Sequence, residues 1–346
     1  MLWVFWSISI LLSALSLAVM CALIARRLFR QRRARADADA RQRLFKALIA
    51  FSQDRSRETL KSVLLSVPTP IALDAGFEFL SLLRGEEHDG VIAVFVDRGL
   101  ADHVERQLRK GNAAERIHAV EMLAAFSSGN AAPALLSALD CDRSREVRIA
   151  AAISLCDLGA LPPLEIVLPK IGIAGQRSRR LIELFRRIPA DRIGELKAYA
   201  VRSDVPAFVR AAAIDALARM GDFRLADLFV AAMRDDSPEV AAAALRALGR
   251  TGHPRASAIL AAAMESDDWG VRSEAANAAG RLGLADLVTP LAGLLDDEAW
   301  TVRYAAAKAM RAIAPHGEGL LREIASSQTS RSQRTASLIL SEGPAS

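Results

Sequence analysis

Apolar residues are distributed in two ways along this chain. Leu2 to Ala25 is an unbroken stretch without a charged side chain. From residue 44 onward, apolar positions instead recur every three or four residues, in short segments divided by Gly, Pro and Asp. That spacing predicts amphipathic helices. Runs rich in Val, Ile and Thr with strict alternation are not evident, so no sheet is expected.

The helical part repeats. Val209, Val240, Val271 and Val302 stand 31 residues apart, each opening an Ala-rich stretch, the first three of which close on Gly221, Gly252 and Gly283. Val147 leads the same pattern two periods before Val209, with a degenerate unit between them around 178–188. Ile117 lies 30 residues before Val147, and Gln333 lies 31 after Val302. About eight units follow from this spacing, the last one truncated. A short apolar first helix precedes each second helix, as in Leu225–Met233, Ala256–Met264 and Leu287–Leu295. Acidic pairs such as Asp235-Asp236, Asp267-Asp268 and Asp296-Asp297 stand ahead of the valines. Aspartate there can cap the second helix, and a closing glycine suits a left-handed C-cap. One such hairpin cannot bury its apolar face alone; stacking does so.

The Asp-Asp, Val-Arg, Ala-Ala and Leu-Gly pattern at this period resembles bacterial HEAT repeats, including the phycobilisome-lyase-like subclass. It implies an α-solenoid over residues 111–343. The resemblance also implies a structural ladder in which the arginine after each valine meets an aspartate of the adjacent unit. Here that would involve Arg148, Arg210, Arg272 and Arg303 with Asp142, Asp204, Asp236, Asp267 or Asp297, and Ala241 breaks it once. Residues 44–110 are helical in pattern without the strict repeat and read as a divergent N-terminal cap.

Charge separates the two ends. Residues 26–46 carry nine Lys/Arg against Asp37 and Asp39, and the remaining 300 residues sum to −2. A helix of 24 apolar residues would span ~36 Å, enough for a ~30 Å hydrocarbon core. Residues 1–25 are therefore expected to be a transmembrane anchor, and 26–43 a basic juxtamembrane segment. Arg26 to Arg35 place that flank on the cytoplasmic side of an inner membrane, where anionic lipid can meet them, and the short N-terminus outside. A cleaved signal peptide would carry its charge on the other flank. The near-neutral remainder argues against a nucleic-acid reader.

No catalytic constellation is visible. The five histidines have no helical metal-ligand spacing, and no His-Glu dipeptide occurs, which speaks against the iron site of HEAT-like deoxyhypusine hydroxylases. Phosphate-cradling Gly loops, nucleophile elbows and Cys-x-x-Cys are absent too. No cofactor or metal is expected. Cys141 and Cys156 read as small buried hydrophobes.

Three features could form a binding surface. Trp269 and Trp300 both lie two residues before a valine, as exposed anchors or as packing on a neighbouring turn. Asp215, Arg246, Asn277 and Lys308, six residues after each valine, should share one side of the second helices, with Tyr304 and Arg250 nearby. The degenerate unit gathers Arg177, Arg179, Arg180, Arg186, Arg187 and Arg192, partly offset by Glu183. The expected function is a membrane-anchored cytosolic scaffold or adaptor that binds a protein partner. The alternative is a bilin-lyase-like enzyme or a small-molecule binder.

Overall fold

The structure is a computed structural model that describes residues 2–54, 57–80, 82–83, 85–126, 131–173, 177–327 and 331–342, except the side chains of 2, 4, 5, 7–15, 18 and 22. Among the described residues every regular element is helical. Contacts divide the chain within α7 (Ala131–Cys141) into two compact units, 1–135 and 136–346.

The first unit begins with α1 (Leu2–Asp54), a single helix of 53 residues. Most of the segment read as an anchor falls on side chains outside the described set. Among the described residues no helix is long and apolar enough to cross a membrane. The far end of α1 turns Leu44, Leu48 and Phe51 inward. They pack with α2 (Arg57–Ser66), α3 (Thr69–Leu80) and α4 (Glu86–Asp97). Helices α5 (Leu100–Lys110) and α6 (Ala113–Phe126) complete the unit. A capping box starts α6: the Asn112 amide donates to Glu115 Oε2 (2.8 Å), and the Glu115 amide donates to Asn112 Oδ1 (3.1 Å). His118 on α6 meets Asp74 on α3 at 3.0 Å.

The second unit is a succession of helix pairs. First helices are α9 (Leu164–Ile171), α11 (Ile193–Val201), α13 (Ala226–Ala232), α15 (Ala256–Ala263), α17 (Val288–Gly293) and α19 (His316–Ser326). Second helices are α8 (Arg145–Asp157), α10 (Arg179–Arg187), α12 (Ala207–Arg219), α14 (Pro238–Thr251), α16 (Trp269–Leu282), α18 (Trp300–Ala312) and α20 (Arg331–Ser341). The repeat valines 147, 209, 240, 271 and 302 are all buried. Around Val271 and Val302, Ala and Leu fill one continuous core that runs from Ala241 to Ile339.

The acidic pairs behave differently from the expected caps. Only Asp268 caps its helix, accepting the Val271 N–H at 3.0 Å. Asp142, Asp235 and Asp297, each five residues before a valine, instead accept the N–H two residues on, at 2.7–2.9 Å. They close the turn that precedes the helix. Cys141 is exposed and Cys156 half-buried, so neither is the buried hydrophobe expected. Cys141 ends its helix, and Cys156 reaches the Arg187 carbonyl at 3.1 Å.

Adjacent second helices approach through their smallest side chains. A Cβ on Gly249 would lie 2.8 Å from Ala278 Cβ, and one on Gly280 would lie 2.7 Å from Ala309 Cα. Alanine is the better helix former by ~1 kcal/mol. In α16 the backbone of α18 leaves it no room. Gly280→Ala is therefore expected to destabilise the full chain by about 1–2 kcal/mol in urea unfolding. Gly194→Ala, with nothing within 4 Å of its Cβ, should be neutral or stabilising by up to ~1 kcal/mol. Equal effects at the two positions would contradict close packing as the organising contact.

Candidate functional site

Among the described residues the expected inter-repeat ladder forms aspartate rungs at Arg210 and Arg272, with a register of its own, while Arg148 and Arg303 meet backbone carbonyls. Arg272 donates from Nε to Asp297 Oδ2 (2.7 Å) and from Nη2 to Asp297 Oδ1 (3.0 Å). Its Nη1 takes the carbonyls of Ser266 (2.7 Å) and Asp267 (2.9 Å). Arg210 reaches Asp235 Oδ1 (2.7 Å) and the Val205 carbonyl (2.7 Å). Arg303 holds the carbonyls of Asp297 (2.7 Å) and Glu298 (2.8 Å), and Arg148 holds the Asp142 carbonyl (2.6 Å). The pairing acid thus stands five residues before the valine of the next unit. Asp236 pairs with none of these arginines; its neighbour Asp235 does. Asp267 gives Arg272 only its backbone, because Ser266 occupies the fifth position. Asp204 is engaged by Arg202, not by a ladder arginine.

The row six residues after each valine is brought together in part. Arg246 donates to both carboxylate oxygens of Asp215 (3.3 and 3.2 Å) and to Glu274 Oε1 (3.1 Å), linking α12, α14 and α16. Burial opposes the Arg246 charge, but Asp215 and Glu274 together raise its pKa. Asn277 is half-buried and Lys308 exposed. Among the described residues neither makes a side-chain hydrogen bond or ion pair.

Trp269 and Trp300 are 55% and 52% exposed, at the first positions of α16 and α18. Trp300 stacks on Tyr304 with ring centroids 5.0 Å apart. The Tyr304 hydroxyl lies 3.2 Å from a Glu342 carboxylate oxygen, a hydrogen bond that raises its pKa. Trp269 has no such ring beside it, since Ser273 stands where Tyr304 does.

A second row escaped the sequence reading. Arg219, Arg250 and Arg281 lie ten residues after successive valines, and all are exposed. The signal for it in the sequence is the 31-residue recurrence of arginine at 219, 250 and 281. A Cβ on Gly249 would meet Arg281 Nη2 at 2.9 Å, so the guanidinium lies over the neighbouring helix. Partial burial, only partly offset by Glu274, combines with the nearby charges of Arg250 and Arg246 to lower the Arg281 pKa. The degenerate unit, by contrast, spends much of its charge internally. Arg187 pairs with Asp157 (2.5 Å) and Glu183 (3.0 Å), Arg192 with Glu195 (2.6 Å), and Arg177 with Glu239 (2.8 Å).

Among the described residues no group of three or more His, Cys, Asp or Glu could hold a metal ion. The family model described as HEAT repeats matches residues 194–275 and 225–311, and the chain carries such repeats there. No curated protein matches. Among solved structures, the chain is similar to an engineered protein at 18% identity, covering 86% of this chain and 98% of that one, with a TM-score of 0.34. It is similar to human deoxyhypusine hydroxylase in complex with glycerol at 18% identity, 85% and 98% coverage and a TM-score of 0.29. It is also similar to the karyopherin Kap121p bound to the SUMO protease Ulp1p at 16% identity, with a TM-score of 0.41. That match covers 88% of this chain and 41% of the karyopherin. These likenesses are distant, and function has to be read from the chain's own residues.

The Arg272–Asp297 rung is the most complete, with side chains 18% and 7% exposed. Burial opposes the Asp297 charge, yet hydrogen bonds from Arg272 and the Ala299 amide together hold its carboxyl below the usual range. Asp297→Ala would leave a half-buried guanidinium without its acid and should cost about 2–3 kcal/mol in urea unfolding. Asp236→Ala should stay within about 0.5 kcal/mol. A depressed folded pKa stabilises the fold above the unfolded value of about 3.9. That stabilisation is lost as pH falls through the folded value. Asp297→Asn should therefore remove part of the acid-side loss of stability; an unchanged pH profile would rule the rung out as its source.

Proposed function

We propose that this protein is a HEAT-repeat scaffold, held at a membrane by residues 1–25, that docks an acidic segment of a protein partner on its second helices. The observation that carries this reading is the cluster of Arg246, Arg250 and Arg281, with Arg219 and Lys308 in adjoining units. Among the described residues of that group, Arg246 alone has direct ion pairs, with Asp215 and Glu274, and Arg281 feels Glu274 without bonding to it. Arg281 is held below its ordinary pKa by burial and like charge. A partner carboxylate there would relieve repulsion and add charge-assisted hydrogen bonds. Trp269 offers a half-exposed ring as an apolar anchor at the other end of the helix that carries Arg281.

The anchor supports the same reading. Tethering raises the local concentration of whatever the repeats bind, without demanding tighter contacts. Arg26, Arg27 and Arg30 would face the headgroups on the cytoplasmic side of an inner membrane.

The test is crosslinking of the full chain in its own membrane, comparing the wild type with Arg250→Glu/Arg281→Glu. One dominant acid-rich partner is expected, with recovery falling about tenfold in the folded double variant and also in high salt. Undiminished recovery would remove the arginine row from the interface. A purified chain that carries a small coloured molecule and no protein would favour the lyase-like alternative. Deleting residues 2–25 should release the chain from the membrane fraction; retention would refute the anchor.

A further inference from the structure

Of the five units led by a valine, that of Val240 lacks its ladder arginine. In the units of Arg148, Arg210, Arg272 and Arg303, the arginine after the valine binds a backbone carbonyl five or six residues before it. In the unit of Val240 that position is Ala241. The corresponding carbonyls belong to Asp235 and Asp236, and among the described residues no side chain donates to either. The acid that this arginine would have met in the next unit is also missing, since Ser266 stands where Asp235 and Asp297 stand in their own units.

A groove of about 490 Å³ opens at this place. Val230, Met233, Leu245 and Ile259 supply apolar lining, and Asp235, Asp236, Ser266 and Asp268 supply the polar part. Asp235 is already neutralised by Arg210. Among the described residues Asp236 has no ion pair, and Asp268 uses one oxygen for the Val271 N–H. Against these two carboxylates the lining holds one further cation, the exposed Arg234.

We infer that this groove receives an arginine side chain, flanked by an apolar residue, from a segment of a partner protein. The guanidinium would take the carbonyls of Asp235 and Asp236, as Arg272 and Arg303 take theirs, and would face the carboxylates of Asp236 and Asp268. Its stem and the apolar neighbour would cover Met233 and Ile259. Arginine fits better than lysine because adjacent carbonyls and a carboxylate suit a planar fork of donors. Lysine at this site would present only a point charge. The contact lies apart from the arginine row proposed above, so loss of either leaves the other measurable.

The full chain, labelled at its Met and Ile methyl groups, is titrated with the peptide Ac-Leu-Arg-NH2. Saturable shifts are expected at Met233 and Ile259. Replacing the arginine with uncharged citrulline should weaken binding about tenfold or more. Ala241→Arg places the chain's own guanidinium in the groove, so it should abolish binding in a protein that remains folded. Three results would overturn the inference: no saturable shift, equal binding of the citrulline peptide, or undiminished binding to folded Ala241→Arg. Free arginine binding as tightly as the peptide would assign the groove to a small molecule and overturn the docking of a protein segment.

Discussion

No helix pair in this chain can close a core by itself. The first helices from α9 onward run to only 6–11 residues, and the second helices offer mostly alanine to their neighbours. Burying such a face needs another face of the same kind a fixed distance away. That requirement explains both the 31-residue spacing and the choice of small residues. Gly249 against Ala278 and Gly280 against Ala309 bring successive backbones together where larger side chains would hold them apart. Dispersion across many short contacts then does what aromatic packing does in other cores.

Close packing of alanine faces is permissive about angle, and the ladder supplies direction. One aspartate per complete rung closes the turn before its own helix, accepts the arginine of the preceding unit, and lends its carbonyl to its own arginine. Asp297 combines all three roles. In a half-buried setting, removing one partner costs more than the pair contributes, because the other charge is stranded. The unit of Val240 shows the consequence in sequence. Arginine is absent at Ala241 and its expected acid is absent at Ser266, so neither is left stranded. What remains is space and two carbonyls, which is why an opening occurs there.

Much of the repeat could be read from the residues alone. The valine spacing, the Ala-rich second helices and the glycines at their ends all depend on local rules. Ladder register was harder, because the three acidic pairs sit at different distances from their valines. Asp235-Asp236 begins five residues before its valine, Asp267-Asp268 four, and Asp296-Asp297 six. Adjacency made Asp236 and Asp267 look equivalent to Asp297, whereas the geometry selects by distance from the buried valine. The Tyr304–Glu342 contact spans 38 residues and has no local signal. Arg281 resting over Gly249 likewise depends on how closely two helices approach.

The same distinction bears on function. Beyond residue 46 the chain is close to neutral, so it has no strong overall field, and attraction can arise only where individual charges are left unmatched. Arg177, Arg187 and Arg192 of the degenerate unit are answered by acids within the fold, and the ladder arginines are held by carbonyls and aspartates. Charges engaged in that way contribute to architecture and have little left to offer another molecule. Arg281 is different, because Arg250 and Arg246 set two like charges near it against the single acid Glu274. A scaffold of repeating parts can therefore keep its stacking chemistry uniform and still bind selectively. It does so through positions that the stacking leaves free to vary.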